Sequence, residues 1–423
     1  MLPDTNGRFG LIQIFDWDGN NNHTPLTTSQ IQAEASHEDA VWGAFNPGAW
    51  NAAHPGMIVS RYMLPFEDEY LISQHNLTWW QQNHPDWILY ACKSDGTPTK
   101  DLAWSGSAFP DVPLDFSNPA VIAYQMQTMM IPYMQANGYN AVAADNTNLA
   151  NTLFGGNKNF GQTPDHTEYG CGTYDSSGNF HRVFGPGQDP GFISAMINWV
   201  KTVQSDLHKY NFKLIINHPI EANVSNGNEQ QLLSGTDAML YEVGFTNYGK
   251  YQSQAAALVR NAIPWAQYTQ QHGIAFMIID YLCTSYDNGV EVYNNNAPCS
   301  SDPMQLPAPQ VDWSLATYAL VNYGGADVYI SPKTGQTPSY RPEFSTRYGA
   351  PCGDYTSPAT GVYERKFQGA LSIVNASSGS YTLQLPAGHT YTDIEGRPVP
   401  AAPNPLVVAP VDAYFLLTQN GCS

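Results

Sequence analysis

Eight short apolar runs, separated through most of the chain by helix-like stretches, limit the fold more than any other feature of this sequence. They are Gly10 to Phe15, Ala40 to Phe45, Met57 to Tyr62, Tyr139 to Ala144, Lys213 to Asn217, Ala238 to Glu242, Ile274 to Asp280 and Ala326 to Ser331. Runs of this length between turn signals read as strands, and helices between successive strands make the sheet parallel. The best helices span Asn118 to Asn137, Gly191 to Tyr210, Gln252 to His272 and Trp313 to Asn322. Glycine stop signals at Gly138, Gly273 and Gly324-Gly325 are followed at once by the next strand. The pattern predicts an α/β fold, a (β/α)8 TIM barrel with some long loops.

After Pro332 the texture changes to Gly, Pro and Ser punctuation. Gly361 to Phe367, Ala370 to Asn375, Tyr381 to Leu385, Val407 to Val408 and Ala413 to Leu417 predict short antiparallel strands, with a turn at Glu395-Gly396. The expected organisation is a barrel over residues 1–335 and a small C-terminal antiparallel β-sandwich over residues 336–423, packed directly together.

Composition narrows the function. The formal charge of −19 comes from 36 Asp and Glu against 17 Lys and Arg, with no basic run, so nucleic acid and anionic membrane are poor partners. Only 13% of residues are charged, about half the roughly 25% of an ordinary soluble protein. Abundant Asn, Ser, Thr, Gln, Gly and Tyr suit a secreted or periplasmic protein that handles neutral, hydroxyl-rich ligands. No apolar stretch reaches the roughly 20 residues that span a bilayer, and the first residues lack the pattern of a signal peptide, so an exported protein would be present here as the mature chain with a start methionine added. The six cysteines, Cys92, Cys171, Cys283, Cys299, Cys352 and Cys422, show no Cys-x-x-Cys spacing. Disulfides are the favoured reading and buried thiols the alternative. Cys283 with Cys299, and Cys352 with Cys422, are candidate pairs, although sequence leaves connectivity open. The oligomeric state is also open.

The chemistry sits where strands end. Asp145 closes the run Tyr139 to Ala144, Glu242 closes Ala238 to Tyr241, and Asp280 closes Ile274 to Ile279. Barrel enzymes keep their catalytic groups at the C-terminal rim of the strands. Alternation puts Asp145 on the face of Ala143 and Ala141, and Asp16 on the face of Ile14 and Ile12. Two carboxylates in such a pocket divide the work of acetal hydrolysis, one ionised as nucleophile or base and one protonated as acid. Asp145 and Glu242 are the expected catalytic pair. Asp16, Asp280, Arg61, Asn146, Asn217 and His218 are expected to bind substrate, and so are Trp79 and Trp80, whose faces stack on sugar rings. For each of these the competing role is structural: a loop cap for the carboxylates, core filling for His218 and the tryptophans. His-Glu-x-x-His, an EF-hand loop, a phosphate loop and Gly-x-Ser-x-Gly are all missing, so no metal and no cofactor is expected.

Three segments carry a family likeness. Leu-Thr-Trp-Trp-Gln-Gln-Asn-His-Pro-Asp-Trp-Ile-Leu-Tyr (77–90), Leu-Asp-Phe-Ser-Asn-Pro-Ala-Val (114–121) and Gly-Tyr-Asn-Ala-Val-Ala-Ala-Asp-Asn (138–146) stand in an order that resembles TIM-barrel glycoside hydrolases. The families are the hypothetical glycosyl hydrolases related to the endo-α-1,4-polygalactosaminidase group and, more distantly, to α-galactosidase-like barrels. That resemblance implies a catalytic aspartate at Asp145, a catalytic glutamate at Glu242 and a β-sandwich after the barrel. The chain reads Gly-Tyr-Asn-Ala-Val where the pattern has Gly-Phe-Asp-Gly-Val. The expected function is hydrolysis of O-glycosidic bonds in an oligo- or polysaccharide. A non-catalytic carbohydrate-binding barrel and a transglycosidase are the alternatives.

Overall fold

The structure is a computed structural model that describes residues 4–16, 25–107, 109–220, 223–247, 255–282, 284–287, 290–292, 303–331 and 340–422. All eight expected strands form, each inside its expected run or overrunning it by one residue. They are β1 (Ile12–Ile14), β2 (Ala40–Trp42), β3 (Ile58–Met63), β4 (Ala141–Ala144), β5 (Lys213–Asn217), β6 (Ala238–Tyr241), β7 (Ala275–Tyr281) and β8 (Ala326–Ser331). They make one sheet in sequence order, from β1 through to β8. A parallel bridge between Leu11 and Val328, with the Val328 N–H donating to Gly10 O at 2.9 Å, brings the last strand beside the first. The sheet is thus nearly closed, as a (β/α)8 barrel requires. Sheet residues such as Val41, Val59, Val142, Ile216 and Met277 are fully buried.

The chain divides into two compact units, one of residues 1–59, 219–224 and 238–423 and the other of residues 60–218 and 225–237. In the first unit, helix Ala308–Val321 is buried along its whole length from Val311 onward. That explains why its sequence shows no polar stripe for solvent, its Asp312, Ser314 and Thr317 being buried with the rest. Arg365 Nη1 donates to the carbonyls of Ala319, Leu320 and Asn322 at 3.1, 3.0 and 2.8 Å, so its cation satisfies carbonyls that the helix end leaves orphaned. Ser372 Oγ donates to Ala316 O at 2.7 Å. Both residues belong to the antiparallel C-terminal region, where Val362, Ile373, Leu383, Leu406, Val408 and Leu416 form one core between a five-stranded and a two-stranded sheet. The expected sandwich is therefore present. Cys352 is bonded to Cys422, tying down the tail. Cys283 and Cys299 lie outside the described residues.

The second unit holds β3, β4 and β5 and an antiparallel sheet that the sequence reading missed. Its strands run in the order Phe154–Gly155, Pro98–Trp104, Tyr90–Lys93, Glu168–Tyr174 and Phe180–Arg182. The Cys92–Cys171 disulfide joins its central strand, Tyr90–Lys93, to the neighbouring Glu168–Tyr174 across 79 residues of sequence. The expected helix over residues 118–137 forms, with one difference: its middle, Tyr124–Met130, is wound as π-helix. Gln125 in that segment is buried and donates to the carbonyls of Pro65 and Glu67 at 2.9 and 3.1 Å while accepting from Trp199 Nε1 at 3.0 Å. The wider winding thereby fixes the chain that leaves β3.

Candidate functional site

The register of three adjacent strands assembles the site. Opposed residues of a parallel pair share one face of the sheet. Tyr62 of β3 lies opposite Ala143 of β4, which lies opposite Ile215 of β5. Asp145 and Asn217, two residues further along, therefore share the face of Tyr62. The hydrogen bonds agree. Tyr62 Oη donates to Asp145 Oδ2 at 2.7 Å, and Asn217 Nδ2 donates to Asp145 Oδ1 at 2.7 Å. The Asn146 N–H adds a third bond to Oδ1 at 2.8 Å. Asn146 reaches this position with φ of 56°, a left-handed conformation that asparagine tolerates better than most residues.

These donors decide what Asp145 can do. Both oxygens are held, so the carboxylate has one orientation, while the residue keeps part of its surface open. Burial pushes the Asp145 carboxyl above its usual range, and the bonds from Tyr62, Asn217 and Asn146 oppose that rise. Burial first, and then the charge of Asp145, raise the Tyr62 hydroxyl well above its ordinary value, so it stays a phenol that donates. The arrangement is a fixed carboxylate, on a residue that is partly exposed, with a proton-bearing neighbour.

The other expected residues fall into different places. Arg61 lies opposite Val142, on the other face of the sheet from Asp145. It is buried and donates from Nη2 to Glu69 Oε2 at 2.7 Å, with its guanidinium 5.9 Å from the centre of the Tyr133 ring. His218 is buried, with Nδ1 at 2.9 Å from Thr147 O and Nε2 against Glu229. Trp80 is fully buried and donates from Nε1 to Asp68 Oδ2 at 2.8 Å, within a core of Ile88, Leu102, Val112 and Leu114. Trp79 is half-buried, with His75 stacked on it at 3.5 Å. Trp80 thus fills core, and a sugar on the covered face of Trp79 would have to displace His75.

In the first unit, Asp16 is fully buried and accepts from the Phe45 N–H at 2.6 Å, the Asn46 N–H at 2.9 Å and Trp50 Nε1 at 3.0 Å. Asp280 is also fully buried and accepts from the Phe245 N–H at 2.6 Å and the Thr246 N–H at 3.3 Å. Burial pushes the Asp280 carboxyl up to about 6 against the pull of Ser314 and those two amides. Each of these aspartates holds the loop that leaves a neighbouring strand. Glu242 is the first residue after β6 and is half-buried in a turn.

Sequence reasoning also passed over an acidic nest that follows β3. Glu67, Asp68, Glu69 and Asp111 are all buried. Burial drives Glu67 well above the usual carboxylate range, Asp68 up to about 7, Glu69 up to about 8 and Asp111 up to about 6. Glu67 accepts from Ser105 Oγ at 2.8 Å, and Asp68 accepts from the Val112 N–H at 2.7 Å and Ser73 Oγ at 2.9 Å. The run Glu67-Asp68-Glu69 was a visible signal, because three consecutive acids stand out in a chain so poor in charge.

No protein-family model matches the chain, and no curated protein matches it. Solved structures with some likeness include a maltogenic α-amylase of Thermotoga neapolitana, 9% identical over 97% of this chain and 98% of that one with a TM-score of 0.45. An α-amylase of Geobacillus thermoleovorans is 13% identical over 97% and 98%, with a TM-score of 0.45. The γ-CGTase of an alkalophilic Bacillus clarkii is 10% identical over 99% and 71%, with a TM-score of 0.46. Likenesses this distant decide nothing about what the chain does.

Proposed function

We propose that the chain is a glycoside hydrolase that cleaves O-glycosidic bonds of a neutral oligo- or polysaccharide by a two-carboxylate mechanism. The observation that carries this reading is Asp145: a carboxylate at the C-terminal end of a barrel strand, on a partly exposed residue, fixed through both oxygens by Tyr62, Asn217 and the Asn146 amide. Ionised, it attacks or stabilises the anomeric carbon, and Glu242 protonates the departing oxygen. A carboxyl separation of roughly 5 to 5.5 Å would give retention, and roughly 6.5 to 9.5 Å inversion. The sequence likeness to the polygalactosaminidase group and α-galactosidase-like barrels supports an O-glycoside as substrate. The low share of charged residues supports a neutral glycan. The same reading takes residues 1–335 as the catalytic barrel and residues 336–423 as its sandwich. The Cys92–Cys171 and Cys352–Cys422 disulfides support an oxidising, extracellular setting.

The test is turnover by the purified protein, Asp145→Asn and Glu242→Gln on a panel of neutral polysaccharides and aryl glycosides, with reducing-sugar and product-mass readouts. Loss of turnover by about 10³-fold or more in both folded variants is expected for a covalent or acid–base pair. Wild-type turnover that survives both substitutions would refute the assignment. Product masses separate water from a second sugar as acceptor.

A further inference from the structure

We infer that His218 and Glu229 form a positioning pair that holds the amide donor of Asp145 in place. The chain of contacts is short and closed. Thr147, two residues beyond Asp145, donates to the Asn217 carbonyl through its N–H at 3.1 Å and its Oγ1 at 2.7 Å. His218, the next residue after Asn217, faces the Thr147 carbonyl through Nδ1 at 2.9 Å. The ends of β4 and β5 are thus laced together in both directions, and the side chain of Asn217 emerges from the lacing onto Asp145 Oδ1 at 2.7 Å.

Glu229 completes the device from behind. It is the third residue of helix Gly227–Leu233, where its N–H is capped by Asn226 Oδ1 at 3.1 Å. A glutamate at that position commonly lies at the surface and reaches back to the cap. Here it is 3% exposed and its Oε2 meets His218 Nε2. Burying a carboxylate costs several kcal/mol unless a partner answers it, and His218 is that partner. A carbonyl oxygen only accepts, so Nδ1 carries a proton toward Thr147, and Nε2 shares a second proton with Glu229. With both nitrogens engaged and only 1% of the residue exposed, His218 has no edge left for a sugar. It acts through Asn217 and does not touch substrate.

The kinetic half of the test rests on the glycosidase reading, and the other half does not. Glu229→Ala, Glu229→Gln and His218→Asn are compared with wild type, with folding checked by circular dichroism and melting. The first readout is the titration of the Asp145 carboxyl by ¹³C NMR, assigned with Asp145→Asn. The second is kcat and KM on whichever glycan of the panel the wild type cleaves. Loosening Asn217 weakens a bond to the ionised form, so Glu229→Ala is expected to move the Asp145 titration upward by about half a pH unit or more. It is also expected to lower kcat by about 10- to 100-fold with KM within about twofold. Glu229→Gln, which keeps a hydrogen-bonding partner on Nε2, is expected to restore most of both. If Glu229→Ala does not fold, His218→Asn decides on the same readouts, because its amide keeps the donor to Thr147 and loses the link to Glu229. A lower melting point with the Asp145 titration and kcat unmoved would overturn the proposal and leave the pair a fold element. Should the wild type cleave nothing, the glycosidase reading fails alone and the titration still judges the pair.

Discussion

Replacing Tyr62 with phenylalanine removes one oxygen atom and tests the site directly. The ring stays, so packing is kept, and what is lost is the 2.7 Å bond to Asp145 Oδ2. A hydrogen bond to a charged group contributes about 1.5–3 kcal/mol, and about 1.4 kcal/mol corresponds to one pH unit of titration. The full loss would therefore raise the Asp145 carboxyl by about one to two units. Asp145 is partly open, so water can replace the hydroxyl, which favours the lower end, about one unit. The direction is fixed by which form the bond favours: Tyr62 stabilises the carboxylate, so its loss makes protonation easier. A nucleophile or base must be ionised to work. The acidic limb of kcat/KM against pH should therefore move about one unit to higher pH, with turnover about tenfold lower on that limb and much closer to wild type above it. The assay is a pH–rate series from pH 4 to about 8 on the glycan that the wild type cleaves, beside melting curves in the same buffers. An acidic limb that stays in place in folded Tyr62→Phe would refute the claim that Asp145 works ionised and held by this hydroxyl.

Stability should fall as pH rises. Asp68, Glu69 and Asp111 are pushed up to about 7, 8 and 6, so between about pH 4 and 8 the folded chain holds protons that the unfolded chain releases, and raising the pH favours unfolding. The melting temperature should be higher at pH 5 than at pH 8, with Glu69→Gln flattening the upper part of the slope; a midpoint that is level or rises over that interval contradicts the reading. Replacing Cys92 and Cys171 together by alanine opens a link across 79 residues, worth about 4–5 kcal/mol by loop-closure entropy, and a calorimetric midpoint unchanged by the double substitution would show that the link is dispensable.

Much of the fold is legible because local pattern and tertiary burial agree. Strands β4 (Ala-Val-Ala-Ala) and β6 (Ala-Met-Leu-Tyr) are apolar and buried from end to end, as strands covered on both faces must be. The antiparallel sheet of the second unit was not legible, for the opposite reason. Glu168–Tyr174 carries Gly170 and Gly172, which break the alternation and read as turn. In the fold they serve close approach: a Cβ on Gly170 would stand 3.0 Å from Leu153 Cβ and 3.1 Å from Ala103 Cβ. Residues that a three-dimensional contact demands look, in one dimension, like a reason to stop the strand. The sandwich escaped this problem because Ala370–Asn375 and Asp412–Leu417 carry no glycine and pair in unbroken register.

Sequence names the residues at the strand ends but not the faces they take, and register explains why. Arg61 and Tyr62 close the same strand, and sequence offers no way to choose between them until β3 is set against β4; a slip of one residue would exchange their faces. With Tyr62 opposite Ala143, the tyrosine goes to Asp145 and the arginine to Glu69. Asn217 and His218 divide in the same way. The strand-end aspartates differ by what their neighbours offer. Asp16 and Asp280 take backbone N–H groups from the loops after β2 and β6, which begin Gly43-Ala44-Phe45 and Glu242-Val243-Gly244-Phe245. Gly244 has φ of 62°, a turn that swings the following amides onto the carboxylate. Asp145 lies between β3 and β5, which continue as Leu64-Pro65 and His218-Pro219. Proline has no N–H to give. An aspartate flanked by loops that enter proline within two residues accepts instead from the side chains of Tyr62 and Asn217 and from the amide of its own successor, Asn146.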